Sequence, residues 1–367
     1  MTTTESAQDA DAATEQLAER LFGEGVGAAH LFNVYLGVRL GLFKAVDERP
    51  SSTTAELADA TALDEWYVRE WLQAETIAGL VVADDEDLHA ARFTLAPGVV
   101  ETLIAETNPA YLGGLPYVLP AIGRVMPDLV DAFRTGAGVP YTAYGAEAVQ
   151  AQAALNRPAF VNDLAANWLP AMPDVRARLQ DADHPASVAD IGCGFGWAAI
   201  ELAKGYPHVH VDGFDLDEQS IAEARRNARE HGVDDRVTFE VVDASATTYG
   251  GRKYDLVMFL ECLHDMGRPV EALATARASV ADHGVVLVMD ERVAETRPPA
   301  GDAVETFMAT LSVLWCLPQS RVVADCEAPG TVMRPSTLEG IARRAGWAGF
   351  EVLDVEHPFW RFYRLVR

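Results

Sequence analysis

The sequence predicts an α/β protein: a twisted, mostly parallel sheet in the C-terminal half, behind an all-helical N-terminal region that contains a winged helix. Three observations predict this. From Ser187 onward, apolar runs of strand length alternate with helical stretches at the spacing of βαβ units. The first of those strands leads into a glycine-rich turn, Gly192-Cys-Gly194-Phe-Gly196, and then a helix. Between residues 28 and 95 the order is helix, short helix, helix, hairpin.

The N-terminal elements follow in order. Residues 1–25 are acidic and poor in large apolar groups, so a disordered tail is expected there. From Ala28 a helix fits, with Leu31, Tyr35, Val38 and Leu42 at helical spacing. Thr54 is placed to cap a short helix through Leu57. Asp64 is placed to cap another that carries Tyr67, Trp71, Ala74 and Ala78 on one face. Residues 81–82 and 92–95 read as short strands around a polar turn. A winged helix raises the question of DNA. Its third helix, however, sets Asp64, Glu65, Glu70 and Glu75 against a single Arg69, the wrong sign for a phosphate backbone. Residues 26–110 are therefore read as a winged-helix dimerisation domain, and a homodimer is expected.

Residues 111–180 read as a helical linker and lid. Repeated prolines imply short helices joined by fixed turns. A helix over 158–169 puts Phe160, Leu164 and Trp168 on one stripe, for core packing, for covering a ligand, or for both.

Composition sets the limits. A chain of 367 residues, 49% hydrophobic, suits two domains or one domain with a helical appendage. The net charge of −26 disfavours generic binding to nucleic acid and to anionic membranes. Only Lys44, Lys204 and Lys253 are lysines. That bias suits a salt-adapted host, and a GC-rich genome would produce it as well. The first residues have no basic n-region and no apolar h-region, so no signal peptide is read. Apolar runs such as 110–123 are short and broken by Gly and Pro, so no membrane span is expected. Cys193, Cys262, Cys316 and Cys326 form no C-x-x-C pair, and no His cluster completes a zinc pattern. A cytoplasmic protein with reduced thiols and no metal is expected.

Residues 181–367 carry the strongest signal. An apolar strand ends in Asp190, and Gly192, Gly194 and Gly196 then allow a tight turn and close approach of a ligand to the backbone. A second strand ends in Asp215, 19 residues after Gly196, where an acid accepts hydrogen bonds from ribose hydroxyls. A third ends in Asp243-Ala244 and a fourth near Glu261. These strand ends converge on the crevice where open α/β sheets bind ligands. The pattern departs from the usual dinucleotide G-x-G-x-x-G, since the third glycine comes one residue earlier. Asp190 stands where a cofactor ammonium could be bound, and Asp243-Ala244 where an adenine amino group would sit.

The series Asp190-x-Gly192-x-Gly194-x-Gly196, Asp215, Asp243-Ala244 resembles the motifs of class I S-adenosylmethionine-dependent methyltransferases, which have a Rossmann-like seven-stranded sheet. The resemblance implies that Asp190 and the Gly192–Gly196 loop contact the methionine moiety. It implies that Asp215 holds the ribose, that Leu216 flanks the adenine, and that Asp243 and Ala244 face it. The segments RLGLFKAV, TTAELADAT, VPYTAYG, NRPAF, LHDM and HPFWRFYRL are similar, in order, to winged-helix small-molecule O-methyltransferases of the plant type and to actinobacterial relatives.

Transfer from a sulfonium is an in-line displacement, and a hydroxyl acceptor usually needs a base. Leu263-His264-Asp265-Met266 resembles the Leu-His-Asp-Trp segment of the plant enzymes, which makes His264 the candidate base. Asp290 lies where those enzymes have a Glu that orients the His, and residues 328–338 hold no second acid. Phe307, Met308, Leu311, Trp315, Cys316, Met333 and residues 357–362 could bind an aromatic or lipophilic acceptor, or could simply pack. The expected function is methylation of a small organic molecule at oxygen, nitrogen or carbon. Two alternatives remain: a winged-helix regulator that senses the same cofactor without catalysis, and a non-methylating enzyme that uses it.

Overall fold

The computed structural model describes residues 3–245 and 249–367, with side chains from residue 11 onward. The chain divides into two compact units, Met1–Pro120 and Ala121–Arg367.

The first unit is the winged helix. It comprises α1 (Thr3–Arg39), α2 (Leu42–Glu48), α3 (Thr54–Thr61), α4 (Glu65–Ala78), an antiparallel hairpin of β1 (Val81–Ala83) and β2 (Phe93–Leu95), and α5 (Val99–Leu103). Three details differ from the sequence reading. Residues 11–25 are helical and exposed, not a disordered tail. Their Ala, Glu, Gln and Leu propagate a helix readily once a packed segment nucleates it. The cap of α3 is Thr53, not Thr54, and it forms a reciprocal capping box with Glu56. Asp64 does cap α4, but the buried face is Val68, Trp71, Leu72 and Glu75, and Tyr67 is 80% exposed. The i, i+3, i+4, i+7 set sits one position on from the predicted stripe. Glu75 is buried because Asn33 Nδ2 donates to it at 2.7 Å and His30 Nε2 lies 3.2 Å away.

Helix α6 (Leu115–Thr135) continues through Pro120 and Pro127. The prolines predict short helices here. The helix survives because Val118, Ala121, Ile122, Val125 and Leu129 form one buried apolar face. Next, α7 (Ala146–Ala159) passes into a π-helical stretch, Phe160–Trp168, and then α8 (Pro173–Leu179). The wider π turn keeps Phe160, Leu164 and Trp168 in one buried line, as their spacing predicts.

The rest of the second unit alternates strand and helix: β3 (Ser187–Ile191), α9 (Trp197–Gly205), β4 (His210–Asp215), α10 (Glu218–Glu230), β5 (Val237–Val241), β6 (Tyr254–Leu260), α11 (Pro269–Ser279) and β7 (Val280–Glu291). Then come α12 (Ala303–Leu311), α13 (Leu317–Ser320), α14 (Pro335–Arg344), β8 (Gly349–Val352) and β9 (Trp360–Val366). Seven strands make one sheet in the order β5-β4-β3-β6-β7-β9-β8, with only β9 antiparallel to the rest. The chain ends on the antiparallel hairpin of β8 and β9. Alternating side chains feed two core layers, Val188, Leu256 and Leu287 on one face and Ala189, Val257 and Val286 on the other. The chain runs outward from β3 to β5 and returns to β6, so the switch point lies between β3 and β6. No single helix among the described residues is long and apolar enough to cross a membrane.

Candidate active site

A cavity of about 570 Å³ opens at that switch point. On the β3–β4 side the glycine turn forms its floor. Gly192, Gly194 and Gly196 all have positive φ, at 68°, 51° and 78°. A Cβ on Gly192 would stand 2.7 Å from Cys262 Cβ, so neither backbone nor neighbour leaves room for a side chain. Asp215 accepts the Gly194 N–H at 2.8 Å and the Asp217 N–H at 2.9 Å. Its carboxyl still lies above the usual range because burial outweighs those bonds. Asp190 is 1% exposed, and its Oδ2 has no hydrogen-bond partner. Burial, and then the Asp215 charge, push its carboxyl up to about 7. A buried acid with an open oxygen, beside backbone amides at the start of α9, suits a ligand with an ammonium group. Leu216, Asp243 and Ala244 complete this wall, and Leu216 is 72% exposed.

The β6–β7 side is built from the turn after β6. Glu261 has φ +58°, and a short 3₁₀ turn, Leu263–Asp265, follows. That turn sends His264 inward and leaves Asp265 on the cavity wall; His264 is 1% exposed and does not line the cavity. Its Nδ1 lies 3.0 Å from Asp290 Oδ1, and its Nε2 lies 3.4 Å from Asp265 Oδ1. Burial alone would lower the imidazole pKa, but Asp290 and then Asp265 override it and hold it well above the ordinary value. The ligand atoms of His264, Asp265 and Cys316 fall within 4.8 Å of one another, a grouping no spacing pattern in the sequence announces. Hydrogen bonding of the Cys316 thiol with the other two accounts for it, since burial pushes that thiol up to about 12 and keeps its proton on.

Residues 183–328 match the family model of a methyltransferase domain, and residues 28–100 match that of an Rv2258c-like winged HTH domain. The chain carries a class I S-adenosylmethionine-dependent methyltransferase domain. Among curated relatives, the 27-O-demethylrifamycin SV methyltransferase of Amycolatopsis mediterranei is 42% identical over 77 residues, 21% of this chain and 28% of that one. The malonyl-[acyl-carrier protein] O-methyltransferase of Halalkalibacterium halodurans is 26% identical over 105 residues, 29% of this chain and 39% of that one. The match thus spans two fifths or less of either relative's length. Solved structures align over nearly the full chain. Mitomycin 7-O-methyltransferase gives a TM-score of 0.70 at 19% identity, covering 98% of this chain and 99% of that one. Human N-acetylserotonin methyltransferase, solved with S-adenosylmethionine, gives 0.68 at 18%, covering 95% and 97%.

The methyltransferase domain brings every expected cofactor residue to one cavity: Asp190, Gly192, Gly194, Asp215, Leu216, Asp243, Ala244 and Glu261 line it, and Gly196 caps the helix that starts there. Glu261 turns its carboxyl away from the glycine loop, against Glu291, Asn156 and Trp360. Two roles are open to the apolar residues named beside the site, acceptor binding or packing, and most are in positions that pack. Of these residues, only Trp315 lines the cavity, with Tyr141 and Phe160 beside it. Met308, Cys316, Met333 and Trp360 are buried, and Phe307 is 40% exposed. His357 stacks on Trp360 at 4.3 Å, and Trp168 packs edge-on to both, so these side chains pack together, while Phe359 is 42% exposed. Sequence reasoning missed Asp265 and Glu291. Each is the immediate neighbour of a chosen residue, and that adjacency was the available signal. Asp265 supplies the second acid at His264 that residues 328–338 lack.

Proposed function

We propose that this chain transfers a methyl group from S-adenosylmethionine to an oxygen, nitrogen or carbon of a small organic acceptor. The open, buried Asp190 oxygen beside the glycine turn carries this reading. Relatives named as methyltransferases of 27-O-demethylrifamycin SV, mitomycin and N-acetylserotonin support the small-molecule acceptor. When bound, the cofactor supplies an electrophilic methyl on a sulfonium. The residues of the chain do the rest. Asp190 holds the ammonium, Asp215 accepts from ribose hydroxyls, and Leu216, Asp243 and Ala244 enclose the adenine. Tyr141, Phe160 and Trp315 exclude water from the acceptor side. The His264–Asp290 pair handles the acceptor's proton and meets the acceptor through Asp265.

Calorimetry tests the cofactor directly. S-adenosylhomocysteine should bind in the micromolar range; absence of binding, or tighter binding of NAD, would overturn the reading.

The same proposal includes a homodimer, formed through the first unit. Its support is the exposed apolar set Leu21, Phe22, Phe32 and Leu36 on α1 and Trp66 and Tyr67 on α4. Light scattering should give twice the chain mass, and a clean monomer at micromolar concentration would refute it. Four free cysteines fit a reducing, cytoplasmic setting.

A further inference from the structure

Trp315 lines the cavity from a π-helical stretch, Ser312–Cys316, between α12 and α13. The sequence shows why the α-helix gives way there. An α-helical carbonyl at Leu314 needs an N–H four residues on, and that residue is Pro318. A donor comes instead from another segment: the Tyr144 hydroxyl donates to Leu314 O at 2.8 Å. Tyr144 is fully buried, and its ring lies 5.0 Å from that of Trp315, tilted by 48°. It closes a 3₁₀ turn, Tyr141–Tyr144, set between Pro140 and Gly145. Two further bonds tie the approach to this turn to the same helical segment. The Val139 N–H donates to Pro318 O at 2.9 Å, and Arg321 Nη2 donates to Gly136 O at 2.9 Å. The Tyr141 ring, on the cavity wall, meets Trp315 edge-on at 6.5 Å.

A large side chain that must be ordered by its ligand takes the cost of that ordering out of the affinity; one held in place beforehand does not. We infer that Tyr144 is a positioning residue for methyl transfer. By capping Leu314 O and bracing the indole, it fixes Trp315 as one face of a slot for a flat aromatic acceptor. The inference rests on the methyl-transfer reading above. Tyr144 does not itself line the cavity, so it acts on the acceptor only through Trp315. Removing its hydroxyl takes this donor from Leu314 O and leaves the π stretch free to shift. The loss falls on the acceptor and spares the cofactor, whose floor is the glycine turn.

The experiment uses the full chain saturated with S-adenosylhomocysteine and 1-naphthol as a flat phenolic probe. Calorimetry should find 1-naphthol bound. Tyr144→Phe, which keeps the ring and removes the hydroxyl, should weaken that binding about three- to tenfold and leave S-adenosylhomocysteine affinity unchanged. Trp315→Leu should weaken 1-naphthol as well, and in that background Tyr144→Phe should cost nothing further, since residues that act as one unit do not add. In a chain labelled with 5-fluorotryptophan, the Trp315 resonance, assigned by its loss in Trp315→Phe, should shift or broaden in Tyr144→Phe. Pro318→Ala offers Leu314 O an N–H in competition with the hydroxyl and should weaken 1-naphthol too; it stands in if Tyr144→Phe gives no cooperative melt. Unchanged 1-naphthol affinity in the folded variants, additive losses with Trp315→Leu, an unmoved Trp315 resonance, or an equal loss of S-adenosylhomocysteine binding would overturn the inference. So would a wild type that binds S-adenosylhomocysteine but not 1-naphthol. Failure of wild type to bind S-adenosylhomocysteine would instead overturn the methyl-transfer reading, so the two failures are distinguishable.

Discussion

On the β3–β4 side of the cavity the acids are tied into the backbone. Asp215 takes two N–H bonds from the loops it joins, and Asp243 takes the N–H and hydroxyl of Ser245. One oxygen, on Asp190, stays buried and open. On the β6–β7 side, Asp265 and Asp290 flank a single imidazole at 3.4 and 3.0 Å, and Glu261 and Glu291 lie against each other beside it. Backbone-bonded acids hold a shape that fits one ligand of fixed chemistry. Acids crowded and buried in this way keep their protons more tightly, as the raised carboxyls of Glu261, Asp265 and Glu291 show, and proton handling can use that.

The largest break between the two sides should come at His264. His264→Ala is expected to cut turnover by 10²–10⁴-fold, the usual scale of acid–base catalysis, and to leave S-adenosylhomocysteine affinity within a few-fold. The pH profile carries the sharper information. Asp290 and Asp265 hold the imidazole proton above the ordinary range. The basic form therefore grows only as pH rises past that range, and the rate should rise on the alkaline side of an ordinary histidine. His264→Gln should abolish that rising limb, and Asp290→Asn should move it to lower pH by removing one of the charges. A turnover within a few-fold of wild type in His264→Ala would show that the acceptor needs no base. The assay first needs an acceptor, found by screening phenols, catechols and amines for release of S-adenosylhomocysteine.

The two sides also differ in how far the sequence reveals them. The β3–β4 side is legible because its chemistry is local. A turn that demands positive φ writes Gly192, Gly194 and Gly196 into consecutive alternate positions, and strand ends put Asp190 and Asp215 at countable spacing. The β6–β7 side depends on long-range placement. Glu261 and Glu291 are 30 residues apart in the chain (291 − 261) and meet only because β6 and β7 pair in parallel. His264 was identified by motif, but its burial behind Asp265 follows from a single 3₁₀ turn that no periodicity announces. The same limit explains α4, whose buried stripe lies one residue on from the predicted one. Aromatic residues fit either face by propensity, and only packing against α1 decided it.

A middle-sized effect should come from Asp215. Asp215→Ala removes the acceptor for ribose hydroxyls and frees the Gly194 N–H, so S-adenosylhomocysteine binding should weaken by about 1–3 kcal/mol, the worth of hydrogen bonds to a charged group. The Glu261→Gln variant, on the other side, should bind the same ligand within a few-fold of wild type. Equal losses in both variants would erase the division between the sides.

The smallest effect is the most specific to Asp190. Its carboxyl is pushed up to about 7, by burial first and by the Asp215 charge second. A carboxyl raised in this way is neutral below that pH and ionised above it. Only the ionised form pairs with an ammonium. Affinity for S-adenosylhomocysteine should therefore fall about tenfold for each pH unit below 7, as one proton competes with the ligand, and level off above it. Asp190→Asn should bind more weakly at neutral pH and lose that dependence, which separates titration of the protein from titration of the ligand. Asp215→Asn should shift the break to lower pH, because one of the two causes of the raised value is gone. A wild-type affinity that stays flat from about pH 5.5 to 8 would mean that Asp190 is already ionised there or does not meet the ammonium. Either outcome would leave the glycine turn without the buried charge that sets this side of the cavity apart.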